Sequence, residues 1–217
     1  MQVFENRAAA GERLGEALAG HPAIARADRV VVLAVPRGGL PVGAAVARAL
    51  GAELDVVVAR KLRSPSNPEI GFGAVGSDGH VAVDAQTVSR LGMSEEELDA
   101  EVADRREAVQ RRLDLYRSVV PAVDLQGATV VVVDDGIATG GTARQACALA
   151  RRGGAQVVLL GVPVAPVGAA ERLADAADEV VVLATPPEFL GVAQGYNEFE
   201  QLDDDASIAA LRSVARA

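Results

Sequence analysis

The sequence predicts a doubly wound α/β fold on a mainly parallel sheet, and three observations carry that reading. Five short Val-rich runs lack strict apolar–polar alternation, the pattern of strands buried on both faces. Helical patterns separate most of these runs, which reads as βαβ units. One run ends in two acids and a glycine-rich turn, at the edge where such sheets bind ligands.

The strand runs are residues 30–35, 54–59, 129–133, 156–162 and 180–183. A helix over 40–50 follows Gly38 and Gly39 and stops at Gly51; another over 142–152 stops at Gly153 and Gly154. A third is predicted over 167–177. Residues 71–84 hold GFGAV and HVAVD around Ser77-Asp78-Gly79, a β-hairpin pattern with an Asp-Gly turn. Ser94 with Glu97 three residues on is a capping box. It opens a long helix to about residue 117, acidic at its start and arginine-rich near its end, as the helix dipole favours. The stretch 186–217 reads as a loop, three aromatics, an acidic patch and a final helix.

At 217 residues the chain suits one domain, 1–217, with an insertion at about 62–118 and a small C-terminal hood at about 186–217. A net charge of −9 argues against a general nucleic-acid binder, which draws affinity from neutralising phosphates. No run approaches the roughly 20 apolar residues of a membrane span. The start lacks a signal-peptide pattern, and the lone Cys147 excludes an internal disulfide framework, so a cytoplasmic protein is expected. Of the 21 Lys+Arg residues only Lys61 is a lysine, a bias that coding composition alone could produce.

The most informative stretch is VVVVDDGIATGGTA, residues 130–143. Glycines let backbone N–H groups converge on an anion, Thr139 and Thr142 add hydroxyls, and a helix N-terminus follows. Asp134 and Asp135 would repel the same anion. They make sense facing another part of the ligand, such as vicinal hydroxyls. The loop lacks the lysine of a Walker A motif. His21 and His80 lie far apart, and with Cys147 they make neither a zinc set nor a Cys/His pair.

This stretch resembles the phosphoribosyl-pyrophosphate (PRPP) motif of the type I phosphoribosyltransferases. The resemblance implies that Asp134 and Asp135 hold ribose hydroxyls, while Gly136, Ile137, Ala138, Thr139, Gly140, Gly141 and Thr142 grip the 5′-phosphate. Hypoxanthine-type members carry an acid where this chain has Ala138, so their general base is absent here. The turn VPRGGLP implies a pyrophosphate site at Pro36, Arg37, Gly38 and Gly39, often with a cis non-proline peptide. In ARKLRSPSNPE, Lys61 is the candidate pyrophosphate ligand, Arg60 points to the other side by strand alternation, and 67–69 open a candidate flap. PPEFLGVAQGYNEF is similar to a purine-binding hood, with Phe189 as stacking platform. Its spacing is one residue short, and Phe189, Tyr196 and Phe199 read equally well as satellite core. From FENRxxAG at residue 4 onward, the motif order resembles a bacterial subgroup whose acceptor is unassigned.

The resemblance implies transfer of ribosyl 5-phosphate from PRPP to a nitrogen nucleophile with release of pyrophosphate. It also implies Mg²⁺ carried mainly by PRPP, with Asp134 or Asp135 as its candidate protein ligand, and a homodimer. A non-catalytic PRPP or nucleotide sensor uses the same pocket and stays open as the alternative.

Overall fold

In the computed structural model, residues 4–214 are described; the outermost ends of the predicted 1–217 domain lie outside them. Five strands form an all-parallel sheet: β1 (Val30–Ala34), β2 (Glu53–Val56), β6 (Thr129–Val133), β7 (Val157–Val164) and β8 (Glu179–Ala184). Their order is β2-β1-β6-β7-β8. The direction of winding reverses between β1 and β6, so the carboxyl ends of these two neighbours frame the topological switch point.

Strand pleat explains the burial on both faces. Val131 and Val133 join one core with Leu14, Leu18, Leu40 and Val46. Val130 and Val132 join the other with Ala146, Cys147 and Leu173. The first face is covered by α1 (Arg7–Ala19) and α3 (Gly39–Leu50), the second by α6 (Gly141–Arg152) and α7 (Ala169–Leu173). Sequence periodicity did not single out α1. Asn6 caps it through Ala9 N, and Gly11 lets it approach α3 so closely that a Cβ would meet Val42 O at 2.6 Å.

A second, antiparallel sheet has the order β3-β4-β5, from β3 (Ala59–Arg63), β4 (Gly71–Gly76) and β5 (Val81–Val83). The strand predicted over 54–59 is therefore two. The chain leaves the main sheet after β2, and Val58 O instead accepts from Ser77 N of the second sheet. Buried Val57 and Val58 continue the apolar run across the crossing, which hides the break from periodicity. The predicted hairpin is β4–β5, with Gly79 at φ +77° in its turn. A short helix α4 (Ala85–Leu91) leads to α5 (Glu95–Arg117), where both bonds of the Ser94–Glu97 capping box are present.

The helix predicted over 167–177 shortens to α7, because Gly168 at φ +77° breaks the backbone before it. After it, Asp178 turns back to accept from Val158 N. The last helix is α8 (Asp204–Arg212), capped by Asp203. A four-residue helix, α2 (Pro22–Ala25), and a 3-10 turn at Val192–Gly195 complete the elements. No helix among the described residues is long and apolar enough to cross a membrane.

Candidate active site

Two βα turns meet at the switch point. Val35 N donates to Val133 O at 2.8 Å, so the PRGG turn and the acid pair leave the sheet side by side. The Pro36–Arg37 peptide is cis. Gly38 and Gly39 are needed for contact rather than for positive φ. A Cβ on Gly38 would stand 1.9 Å from Asp135 Oδ2, and one on Gly39 would stand 2.8 Å from Val133 O.

The two carboxylates have different surroundings. Asp135 accepts from Arg7 Nε at 2.8 Å. Arg7 is itself buried, donates to Glu200 O at 2.9 Å and stacks over the Phe199 ring at 3.8 Å. The backbone carbonyl of Asp135 accepts from the Tyr196 hydroxyl. Asp134 accepts from the Asp135 backbone N–H at 2.8 Å. Burial, followed by the neighbouring Asp135 carboxylate, raises the Asp134 carboxyl well above the ordinary carboxylate range.

The raised carboxyl makes stability depend on pH. Between the ordinary carboxylate pKa and the raised one, the folded chain holds a proton that the unfolded chain has released. Stability contributed by Asp134 therefore falls as pH rises through that window. Asp134→Asn removes the titration and keeps the acceptor for Asp135 N–H. The variant's melting point should exceed the native one by a few degrees at pH 8 and by much less at pH 4. A difference that does not change with pH would refute this account.

The loop after the acids is held from below and open above. Ile137 is buried and its N–H donates to Val164 O at 2.9 Å. Gly136 lies so close to Val164 and Val192 that a Cβ would meet Val192 Cγ1 at 2.6 Å. Ala138, Thr139 and Thr142 are exposed, and Gly140 at φ +84° turns the chain into α6. The first N–H groups of α6 lack intrahelical partners, and no side chain caps them, the arrangement that favours an anion at a helix N-terminus.

Lys61 reaches this loop from the second sheet. Its Nζ stands 3.8 Å from where a Cβ on Gly141 would be. Lys61, Arg37, Pro36 and Thr142 line one cleft of about 700 Å³. A neighbouring cavity of about 270 Å³ is lined by Arg7, Arg37, Gly38, Asp135 and Phe199. Phe189 is apart from both. It packs, partly buried, against the cluster of Phe4, Val164 and Tyr196; Phe199 packs against the same cluster and also lines the cavity beside Asp135. No local pattern marks Arg7 as a site residue, although it closes the FENR segment that starts at residue 4. An isolated bridge at Phe4 explains its reach: Phe4 N donates to Gly195 O, and Asn197 N donates to Phe4 O, each at 2.9 Å. Cys147 is no nucleophile, since burial pushes its thiol up to about 12.

A cleft at the switch point, with a glycine-rich loop and an acid pair beside it, defines an α/β domain of the kind that binds ligands at the carboxyl edge of its sheet. The chain belongs to the phosphoribosyl transferase domain family, whose model matches residues 4–194. Protein Rv0571c of Mycobacterium tuberculosis H37Rv, provisionally named a phosphoribosyl transferase, is 44% identical over 216 residues. That match covers 100% of this chain and 48% of the relative, so the chain spans about half the length of the curated relatives it matches. The adenine phosphoribosyltransferase of Kineococcus radiotolerans is 57% identical over 51 residues, 23% of this chain and 28% of that one. Among solved structures, the protein TT1426 of Thermus thermophilus superposes with a TM-score of 0.82 at 39% identity, over 98% of both chains.

Proposed function

We propose that this domain transfers ribosyl 5-phosphate from PRPP to a nitrogen nucleophile, a nucleobase or related amine, and releases pyrophosphate. The observation that carries the reading is the convergence of Arg37, Lys61 and Thr142 on one cleft beside the acid pair. A sensor of nucleoside monophosphates has no use for cations beyond the 5′-phosphate cradle.

In this reading the 136–142 loop holds the 5′-phosphate, and Asp134 and Asp135 accept from ribose hydroxyls. Arg7 holds the Asp135 carboxylate oriented. Bond breaking at the anomeric carbon gives an oxocarbenium-like transition state, with negative charge growing on the departing pyrophosphate. Arg37 and Lys61 supply preorganised positive charge where that charge develops. The second sheet and α5 act as the flap that excludes water. Phe199, which lines the cavity beside Asp135, is the aromatic candidate on the acceptor side, ahead of Phe189, which lines neither cavity. No general base is assigned.

Magnesium fits the donor set as a passenger of PRPP. Among the described residues no three His, Cys, Asp or Glu side chains gather into a metal cage, and Asp135 is already committed to Arg7. Asp134 offers oxygen ligands suited to a largely hydrated Mg²⁺. When bound, the ion would stabilise the leaving pyrophosphate. A homodimer and a cytoplasmic setting belong to the same reading, supported by the common two-fold preference of oligomers and the lone thiol. Sedimentation checks the first.

The test mixes protein, Mg²⁺ and PRPP with a panel of bases and amines and follows pyrophosphate release. PRPP binding without turnover across the panel would favour a sensor, and no PRPP binding would defeat both. Lys61→Ala should lower turnover about 10²–10³-fold. Lys61→Arg should lower it at least tenfold, because a planar guanidinium does not replace a compact ammonium. Unchanged turnover in Lys61→Arg would assign the single lysine to coding bias.

A further inference from the structure

The cleft at Lys61 carries more positive charge than a diphosphate requires. Arg37, Arg60, Lys61, Arg63, Arg105 and Arg112 all line it, with no Asp or Glu in the lining, in a chain of net charge −9. The pleat of β3 divides them. Lys61 turns toward Gly141. Arg60 shares the opposite face with Leu62, which packs in the core with Val109 and Tyr116 of α5.

On that α5 face the charges are unevenly compensated. Arg105 pairs with Glu101 and Asp104, and Asp204, a half-exposed residue at the start of α8, pairs with Arg112 and, at 3.9 Å, with Arg37. Arg60 has no carboxylate partner among the described residues. Although Arg60 keeps an exposed surface, its guanidinium is disfavoured first by desolvation and then by the like charge of Arg112, with Arg37 and Arg105 adding to this and Tyr116 opposing it. The buried Tyr116 hydroxyl lines the same cleft and makes no hydrogen bond of ordinary geometry among the described residues. Like charges gathered in a concave site concentrate potential that favours a bound anion.

We propose that Arg60 and Arg112, with Tyr116 at their base, form a second anion subsite contiguous with Arg37 and Lys61. It takes the third phosphoryl group of a linear polyphosphate. The inference rests on the proposed pyrophosphate position and extends it from two phosphoryl groups to three.

Calorimetric titration of the whole chain with pyrophosphate and with inorganic tripolyphosphate, at one fixed magnesium concentration, tests it. Tripolyphosphate should bind at least tenfold more tightly, about 1.4 kcal/mol. Arg60→Ala, which breaks no ion pair, should erase most of that advantage and leave pyrophosphate affinity unchanged; Arg112→Gln should reduce the advantage as well. Lys61→Ala should weaken both ligands alike. Pyrophosphate binding with no advantage for tripolyphosphate, or equal loss of both ligands in Arg60→Ala, would overturn the second subsite and leave the transferase reading standing. Failure of pyrophosphate itself to bind would overturn that reading and the subsite with it. A nucleoside triphosphate binding as well as tripolyphosphate assigns the subsite to the phosphate chain, and tighter binding assigns its source to a nucleotide. Both results support it.

Discussion

Arg7→Ala is expected to destabilise the protein by about 3 kcal/mol, the usual scale for removing one partner of a buried ion pair. For a chain of this size that lowers the melting point by roughly 6–12 °C. The side chain is about 10% exposed, and three contacts end with it: Asp135, Glu200 O and the Phe199 ring. Its loss leaves two adjacent carboxylates with no cation, in a position where Asp134 already resists ionisation. PRPP affinity should therefore fall at least tenfold, beyond what partial unfolding at the assay temperature explains. Arg7→Lys separates charge from geometry. It keeps a cation, but it cannot bond Asp135 and Glu200 O from one plane while stacking on Phe199, so it should fall between. An unchanged melting point in Arg7→Ala would show that the pair contributes nothing net.

The same residue shows where sequence reading ends. The loop after β6 is a local pattern: four valines, two acids and closely spaced glycines determine strand, turn and helix within fourteen positions. The capping box at Ser94 and the stop at Gly51 are equally local, and both elements lie where the pattern puts them. Arg7 meets Asp135 across 128 residues. That contact exists because residue 4 bridges to Tyr196 beside the acid pair, a tertiary pairing with no periodic trace. The division of 54–63 into strands of two sheets is hidden for a similar reason, since Val57 and Val58 stay buried while changing partners. Phe189 and Phe199 flank one tyrosine in sequence, and only the direction of the chain after Val192–Gly195 decides which ring lines the cavity beside Asp135.

Gly38→Ala should cost at least 10²-fold in PRPP turnover through a steric route that a paired substitution can expose. Gly38 has an ordinary helical backbone, φ −58°, so alanine adds no dihedral strain. Its added methyl would stand 1.9 Å from Asp135 Oδ2 and 2.4 Å from its Cγ. A free side-chain tip would swing away cheaply. This one is tethered, its carboxylate by Arg7 and its carbonyl by Tyr196. Relief must come either from breaking the Arg7 pair or from pushing the PRGG turn off the acid pair. Overpacking of this kind costs about 1–3 kcal/mol. Either relief also moves a proposed ligand of the ribose or the pyrophosphate, and misplacement by about 1 Å suffices for a 10²-fold loss. An Asp135→Ala background removes all three of the atoms nearest the added methyl, so the stability cost of Gly38→Ala should largely vanish. Gly39→Ala should behave differently, because its Cβ would meet Val133 O at 2.8 Å and Asp134 Cα at 2.9 Å, which are backbone atoms. No side-chain truncation relieves those contacts, so its cost should persist in the same background. Equal costs for Gly38→Ala with and without Asp135 would mean that the turn, not the carboxylate, sets the close approach.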